Sequence, residues 1–120
     1  MLSIAIVDDE PDLLVLFSEV LQMNGYQVCK FTDSLEALDQ IGKNPSKYNL
    51  IITDFRMPGL NGYQLIIKLK EQNPNLKTIL MSAFTDVQYD NSITFISKPI
   101  LLSQLVMVVK KTLGDERIHT

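Results

Sequence analysis

Short apolar runs alternate with helix-like segments along the whole chain, and this alternation constrains the fold more than any other feature. The runs at 3–7, 26–31, 50–53, 76–81 and 93–96 are predicted strands. The run at 50–53 is apolar without alternation, which is typical of a strand buried on both faces of a parallel sheet. Strands that alternate with helices indicate one α/β domain, with a parallel sheet between two helical layers.

Four intervals carry apolar residues at helical spacing. They predict helices over 11–23, 34–41, 62–72 and 101–113, with a loop at 42–46. Pro11 fits the first turn of the first helix, and Asn24 with Gly25 ends it. We expect residues 1–114 to form the domain and residues 115–120 to be a polar tail.

The expected architecture is a flavodoxin-like three-layer sandwich with strand order 2-1-3-4-5. Only residues 84–92 join the fourth strand to the fifth, whereas a parallel crossover normally takes a dozen or more residues. The segment is rich in β-branched residues and in Asp, Asn and Ser, which favour turns over helices. A helix in this crossover, the fourth of the expected fold, is therefore predicted to be short or absent.

Composition excludes several classes of function. A net charge of −3 gives no basic surface for nucleic acid, so no direct nucleic-acid binding is expected. The single cysteine, Cys29, excludes an internal disulfide and suits a reducing compartment. No apolar run approaches the ~20 residues of a membrane span, and no export signal is evident. We expect a cytoplasmic protein without membrane contact.

Polar residues stand where four of the predicted strands end. Asp8 and Asp9 follow the first strand, Asp54 the third, Ser82 the fourth and Lys98 the fifth. Because the carboxyl ends of parallel strands share one edge of the sheet, these residues should converge where open α/β sheets bind ligands. Taken singly, each residue could be a helix cap or a solvated side chain, but four strand ends in order are a strong signal.

Three carboxylates at this edge would repel one another. At ~5 Å and an effective dielectric constant of ~20, each pair costs about 3 kcal/mol. Either one carboxyl stays protonated or a divalent cation occupies the cluster. A few carboxylates with water in the remaining positions suit Mg²⁺, with Mn²⁺ as a substitute. Mg²⁺ beside an aspartate, a lysine and a hydroxyl predicts a site for moving a phosphoryl group.

The residues also carry a family resemblance that covers essentially the whole chain. The sequence resembles the phosphoacceptor receiver domain of two-component response regulators, a family that includes the chemotaxis regulators. The matching motifs lie at 7–10 (VDDE), 53–62 (TDFRMPGLNG), 81–83 (MSA) and 95–99 (FISKP). The second and fourth motifs are quite specific, and all four occur in the family's order.

The resemblance implies a set of Mg²⁺ ligands. It makes Asp54 the phosphoacceptor and a metal ligand together with Asp9 and the backbone carbonyl of Arg56. Asp8 would assist through a water molecule. These positions are all filled with residues competent for the chemistry.

The resemblance also implies roles for the residues around the phosphoryl group. Lys98 would pair with it and Ser82 would hydrogen-bond to it. Phe95, three positions before the lysine, would be the aromatic switch residue that rotates when Ser82 moves; plain core packing in a strand is the alternative for Phe95. The domain would catalyse only its own phosphorylation and dephosphorylation.

The implied partners are a sensor histidine kinase or a phosphotransfer protein, an unidentified output protein and an activation-dependent homodimer. The short crossover would alter the output face, and the apolar run at 105–109 in the last helix would substitute for it. Two other classes of function share parts of this pattern. A flavin protein is disfavoured because acids occupy the position of a phosphate-binding loop. A phosphorylation-independent pseudo-receiver that only binds proteins is the alternative to the signalling switch.

Overall fold

The fold is a five-stranded parallel sheet between two layers of helices. The computed structural model describes residues 1–83 and 93–116. The strands are β1 (Ser3–Val7), β2 (Gln27–Phe31), β3 (Leu50–Asp54), β4 (Lys77–Ser82) and β5 (Thr94–Ser97). The helices in the described residues are α1 (Pro11–Met23), α2 (Ser34–Lys43), α3 (Gly62–Gln72) and α4 (Leu102–Leu113).

The strand order is β2-β1-β3-β4-β5, and every pair is parallel, so the predicted flavodoxin-like topology is confirmed. Helices α1 and α4 cover one face, with Phe17, Leu21, Leu105 and Val109 packed on the sheet. The other face carries α2 and α3, and its buried side chains form two clusters. Because β1 and β3 are buried along their full length, their carboxyl ends have fixed positions.

Most element boundaries agree with the prediction, and the differences have local causes. The predicted loop at 42–46 is wrong, because α2 continues to Lys43 and a 3₁₀ turn, Pro45–Lys47, follows it. The Lys43 ammonium lies 3.1 Å from Asp39 one turn earlier, a favourable pair at the end of a helix. The crossover helix predicted to be short or absent falls in 84–92, outside the described residues.

The start of α3 packs tightly against the end of β3. The Asn61 side chain accepts a hydrogen bond from the Gln64 backbone, and the Gln64 side chain accepts one from the Asn61 backbone, each at 2.9 Å. This capping box fixes where the helix begins. A Cβ added at Gly62 would lie 2.1 Å from the carbonyl oxygen of Asp54 and 2.8 Å from Leu80 Cδ1. Only glycine therefore permits this approach of α3 to β3.

The residues just after α4 are hydrogen-bonded to the residue that precedes β2. Gly114 ends the helix in the left-handed conformation, with φ of 66°. The Tyr26 hydroxyl donates a hydrogen bond of 2.6 Å to Asp115 Oδ2. The division between domain and tail after residue 114 stays a prediction. None of the helices in the described ranges has both the length and the hydropathy needed to cross a membrane.

We predict that Gly62→Ala lowers the free energy of unfolding by more than about 2 kcal/mol, because backbone and core atoms would have to move. Gly42→Ala is the matched control. Its new methyl group would meet only the far end of the Gln72 side chain, at 3.1 Å, within a helix that favours alanine. That variant should be as stable as the wild type or up to about 1 kcal/mol more stable. Urea denaturation measures both, and equal stabilities of the two variants would contradict the prediction.

Candidate functional site

The residues predicted to converge at one edge of the sheet do so. Asp8 directly follows β1, Asp54 is the last residue of β3, Ser82 is the last residue of β4, and Lys98 directly follows β5. The parallel register brings these ends together, since Asp54 pairs with Met81 and Ser82 pairs with Ser97. The site is therefore a product of the sheet topology.

Lys98 lies between two carboxylates. Its ammonium is 3.0 Å from Asp54 Oδ1 and 3.7 Å from Asp8 Oδ2. The Lys98 side chain is only 18% exposed, so these interactions are shielded from solvent. The Lys98 backbone N–H donates a 2.9 Å hydrogen bond to the carbonyl of Ser82, which fixes the start of this loop against β4. The lysine is thus held at both its backbone and its charged end.

Asp8, Asp9 and Asp54 form a carboxylate cluster that fits a metal ion. One oxygen from each residue can be chosen so that all three lie within 4.8 Å of one another. Asp8 and Asp54 are buried, whereas Asp9 is exposed. Asp8 Oδ1 accepts a 2.9 Å hydrogen bond from the Glu10 backbone, but Asp8 Oδ2 has no hydrogen-bond partner within the described residues. A buried oxygen without such a partner, in an all-oxygen donor set, matches a hard divalent cation.

The surroundings of the cluster disfavour the ionised forms of its buried carboxyl groups. Burial raises the pKa of Asp8 above its ordinary value, although the Glu10 backbone hydrogen bond and the charge of Lys98 oppose the change. Burial raises the pKa of Asp54 in the same way, against the hydrogen bond and charge of Lys98. For Lys98 itself burial lowers the pKa, but the hydrogen bond and charge of Asp54, with Asp8 and Glu10 adding to them, raise it overall. A cation bound between them would favour the ionised forms of both carboxyl groups and so lower their pKa values.

The loop between β3 and α3 carries the third predicted metal-binding group, the Arg56 carbonyl. The Phe55 N–H donates to the Met81 carbonyl and the Gly62 N–H donates to the Phe55 carbonyl, each at 2.8 Å. These bonds fix both ends of the loop beside Asp54. The direction of the Arg56 carbonyl toward a metal stays a prediction.

The predicted switch residues lie on adjacent strands. Ser82 is buried at the end of β4, and Phe95 is half-buried within β5. Phe95 lines a groove of about 390 Å³ with Gln104, Met107 and other residues of β5 and α4. The structure therefore gives Phe95 open space beside it, and its switch role stays a prediction.

Two contributions to the site were not predicted from the sequence. The Glu10 backbone positions Asp8, and the signal for this is the Asp-x-Glu turn, in which an aspartate accepts from the amide two residues later. Ser34, the first residue of α2, donates a 3.2 Å hydrogen bond to the Pro58 carbonyl in the loop after β3. The two residues are 24 positions apart, so no local pattern could reveal this contact.

An apolar groove of about 340 Å³ opens beside Lys98. The first turns of α1 form one wall, and the segment between β5 and α4 forms the other, with Leu13, Leu16, Pro99 and Ile100 among the lining residues. Leu16 and Leu101 on these elements are large exposed apolar side chains. The groove is an apolar surface that reaches Lys98 and so lies directly next to the site.

Comparisons with known proteins agree with the geometry. The sequence profile of the response regulator receiver domain matches residues 4–110. The chain is 31% identical to the two-component response regulator ARR21 of Arabidopsis thaliana over 97% of its own length, and it spans 20% of that relative. It is 28% identical to sporulation initiation phosphotransferase F of Bacillus subtilis, covering 92% of each chain.

A similar structure is the response regulator TrrA from Thermotoga maritima, in complex with Mg²⁺-BeF. The TM-score is 0.82 at 30% identity, and the match covers 93% of this chain and 99% of that one. Since the chain spans about a fifth of one relative and most of another, its fold occurs both as part of a long protein and nearly alone.

We predict that Asp8→Asn stabilises the protein without metal at pH 7, by about 1 kcal/mol, because it removes a buried charge but keeps an acceptor for the Glu10 amide. A carboxyl whose pKa is raised by folding destabilises the folded state when it is ionised, and this cost falls as the pH falls. The advantage of the variant over the wild type should therefore shrink as the pH falls from 7 toward the ordinary pKa of an aspartate, about 4.

Urea denaturation in chelator at several pH values measures this difference. Asp12→Asn is the control, since Asp12 is an exposed acid in the first turn of α1, where a negative charge is favourable, so this variant should be no more stable than the wild type at pH 7. A stability advantage of Asp8→Asn that grows on acidification would contradict the prediction.

Proposed function

Because the chain belongs to the response regulator receiver domain family, we propose that Asp54 accepts a phosphoryl group and so switches the domain between two signalling conformations. The observation that carries this proposal is the contact of 3.0 Å between Lys98 and Asp54 within a cluster of three carboxylates. The lysine holds the acceptor oxygen in place and brings a positive charge to where the phosphoryl oxygens would lie.

The metal of this reaction is Mg²⁺, with Mn²⁺ as a substitute. Asp9, Asp54 and the Arg56 carbonyl are the groups that would hold it, and Asp8 would assist through water. The fit is supported by the all-oxygen donor set and by the buried Asp8 Oδ2. A bound Mg²⁺ supplies charge neutralisation and alignment for the transferring phosphoryl group.

The transfer step uses the Asp54 carboxylate as nucleophile. One carboxylate oxygen forms a bond to phosphorus, and the bond from phosphorus to the donor atom breaks. With a phosphohistidine donor, the electron pair of that bond stays on the imidazole nitrogen. Lys98 balances the charge that accumulates on the phosphoryl oxygens. The domain then catalyses only its own phosphorylation and dephosphorylation, so it acts as a signalling domain and not on a separate substrate.

The conformational response involves β4 and β5. The Ser82 hydroxyl moves toward the new charge on Asp54, and Phe95 rotates into the space that Ser82 leaves. The half-buried position of Phe95 and the groove beside it support such a rotation. The modification then shifts an existing equilibrium, because the phosphorylated side chain makes better contacts in one state.

The phosphoryl donor is a sensor histidine kinase or a phosphotransfer protein. Sensor proteins are among the relatives of this chain, which supports a partner of this class. The apolar groove beside Lys98 offers such a partner a docking surface within reach of Asp54. We propose in addition that α4, the last helix, is the surface that binds the output protein. The same surface would form the activation-dependent homodimer.

We predict that Asp54→Asn takes up no phosphoryl group from acetyl phosphate and Mg²⁺, because an amide cannot form the acyl phosphate. Intact-protein mass spectrometry measures the uptake as a mass increase of about 80 Da, which is expected in the wild type and in the control variant but not in Asp54→Asn. Asp39→Asn is the matched control, since this exposed aspartate pairs with Lys43 at the end of α2 and is not part of the carboxylate cluster. Full labelling of Asp54→Asn would show that another residue is the acceptor. Absence of labelling in the wild type as well would favour a pseudo-receiver.

We predict that Asp9→Ala abolishes phosphorylation without lowering the stability of the metal-free protein. The substitution removes a metal ligand and also relieves repulsion among the three carboxylates, so the midpoint of thermal unfolding should hold or rise. Asp12→Ala is the control, because Asp12 lies three residues later in the first turn of α1. It should be phosphorylated normally and lose roughly 0.3–1 kcal/mol of favourable helix-dipole interaction. A marked loss of stability in Asp9→Ala would mean that Asp9 has a structural role.

A further inference from the structure

The first turn of α2 lies against the middle of the loop that follows Asp54. Ser34 is fully buried, and its hydroxyl donates a 3.2 Å hydrogen bond to the Pro58 carbonyl. At the next position Gly59 has φ of +77°, and a Cβ there would lie 3.5 Å from Leu35 and 3.6 Å from the Ser34 hydroxyl. Two adjacent residues of the helix, Ser34 and Leu35, therefore lie against two adjacent residues of the loop, Pro58 and Gly59.

This contact lies close to the carboxylate cluster. Asp9, Leu35, Pro58 and Gly59 line one pocket of about 250 Å³, so the exposed carboxylate of the cluster and the middle of the loop face the same space. Pro58 is two residues after Arg56 in the same loop. A displacement of Pro58 and Gly59 therefore changes both the path of the backbone that carries the Arg56 carbonyl and the surroundings of Asp9.

We propose that Ser34 is a positioning residue for Mg²⁺ binding, because its hydroxyl holds the loop 55–61 in the arrangement that the metal site requires. This inference rests on the function proposed above. The ends of the loop are fixed by the backbone bonds of Phe55 and Gly62, and Ser34 holds its middle. A loop that is already ordered loses less conformational freedom when the metal binds, so the metal binds more tightly.

The chain supplies a matched control for this inference. Ser18 is also buried, and its hydroxyl donates a 2.7 Å hydrogen bond to the Leu14 carbonyl within α1. Ser18→Ala and Ser34→Ala therefore remove the same chemical group from similar surroundings. Only Ser34→Ala releases the loop beside the carboxylate cluster, so the pair separates a local effect on the site from a general loss of stability.

The experiment is a titration of the full chain with MgCl₂ at constant ionic strength, in which amide chemical shifts report how much metal is bound. We expect Ser34→Ala to raise the Mg²⁺ dissociation constant about threefold to tenfold, the range that corresponds to loss of one hydrogen bond. Ser18→Ala should keep the constant of the wild type. At saturating Mg²⁺, phosphorylation of Ser34→Ala by acetyl phosphate should stay within about twofold of the wild-type rate, because the loop is then ordered by the metal.

Equal dissociation constants for Ser34→Ala and the wild type would overturn the inference, as would an equal weakening in Ser18→Ala. If Ser34→Ala does not fold, Ser34→Cys keeps a side chain of nearly the same shape and replaces the hydroxyl by a much weaker donor, and the same weakening is expected. A wild-type protein without saturable Mg²⁺ shifts would overturn the proposed metal site together with this inference. If the wild type binds Mg²⁺ and both serine variants have the same dissociation constant, the inference about Ser34 is overturned but the proposed metal site is not.

Discussion

The site depends on one electrostatic arrangement, a lysine held between two buried carboxylates at the end of a parallel sheet. Lys98 lies 3.0 Å from Asp54 and 3.7 Å from Asp8, and Asp9 adds a third negative charge to the cluster. One ammonium cannot balance three carboxylates, and burial raises the pKa of both Asp8 and Asp54. The cluster is therefore suited to a divalent cation and to a phosphoryl group, whose opposite charges complement the carboxylates and the lysine.

The remainder of the fold brings this cluster together and then holds it rigid. Strands β1 and β3 are buried along their full length, so they fix the two buried aspartates, and the backbone bond from Lys98 to Ser82 fixes the lysine. Helix α3 approaches so closely that only glycine fits at residue 62, beside the carbonyl of Asp54. Helix α2 contacts the loop after β3 through Ser34. A site with such support can transmit a small change at Asp54 to its surroundings.

Much of this arrangement could be predicted from the sequence, because it follows from two general properties. Apolar runs that alternate with helical periodicity specify a parallel sheet, and a parallel sheet gathers the residues that follow its strands, here Asp8, Asp54 and Lys98. The predicted end of α2 was wrong, because Gly42 and Lys43 stay helical before a 3₁₀ turn. The hydrogen bond from Ser34 to Pro58 could not be predicted, since it depends on how α2 packs in three dimensions. Distances and pKa directions likewise require the packed structure.

We propose that the carboxylate cluster is a ligand site in which bound Mg²⁺ balances the carboxylates and a bound phosphoryl group balances Mg²⁺ and Lys98. The most direct measurement is thermal unfolding of the wild type in chelator, in Mg²⁺, and in Mg²⁺ with beryllofluoride as a mimic of the phosphoryl group. A ligand present at 100 times its dissociation constant stabilises a folded protein by about 2.7 kcal/mol. The midpoint should therefore rise with Mg²⁺ and rise again with beryllofluoride, but only when Mg²⁺ is present. A midpoint that is the same in all three solutions would contradict the account.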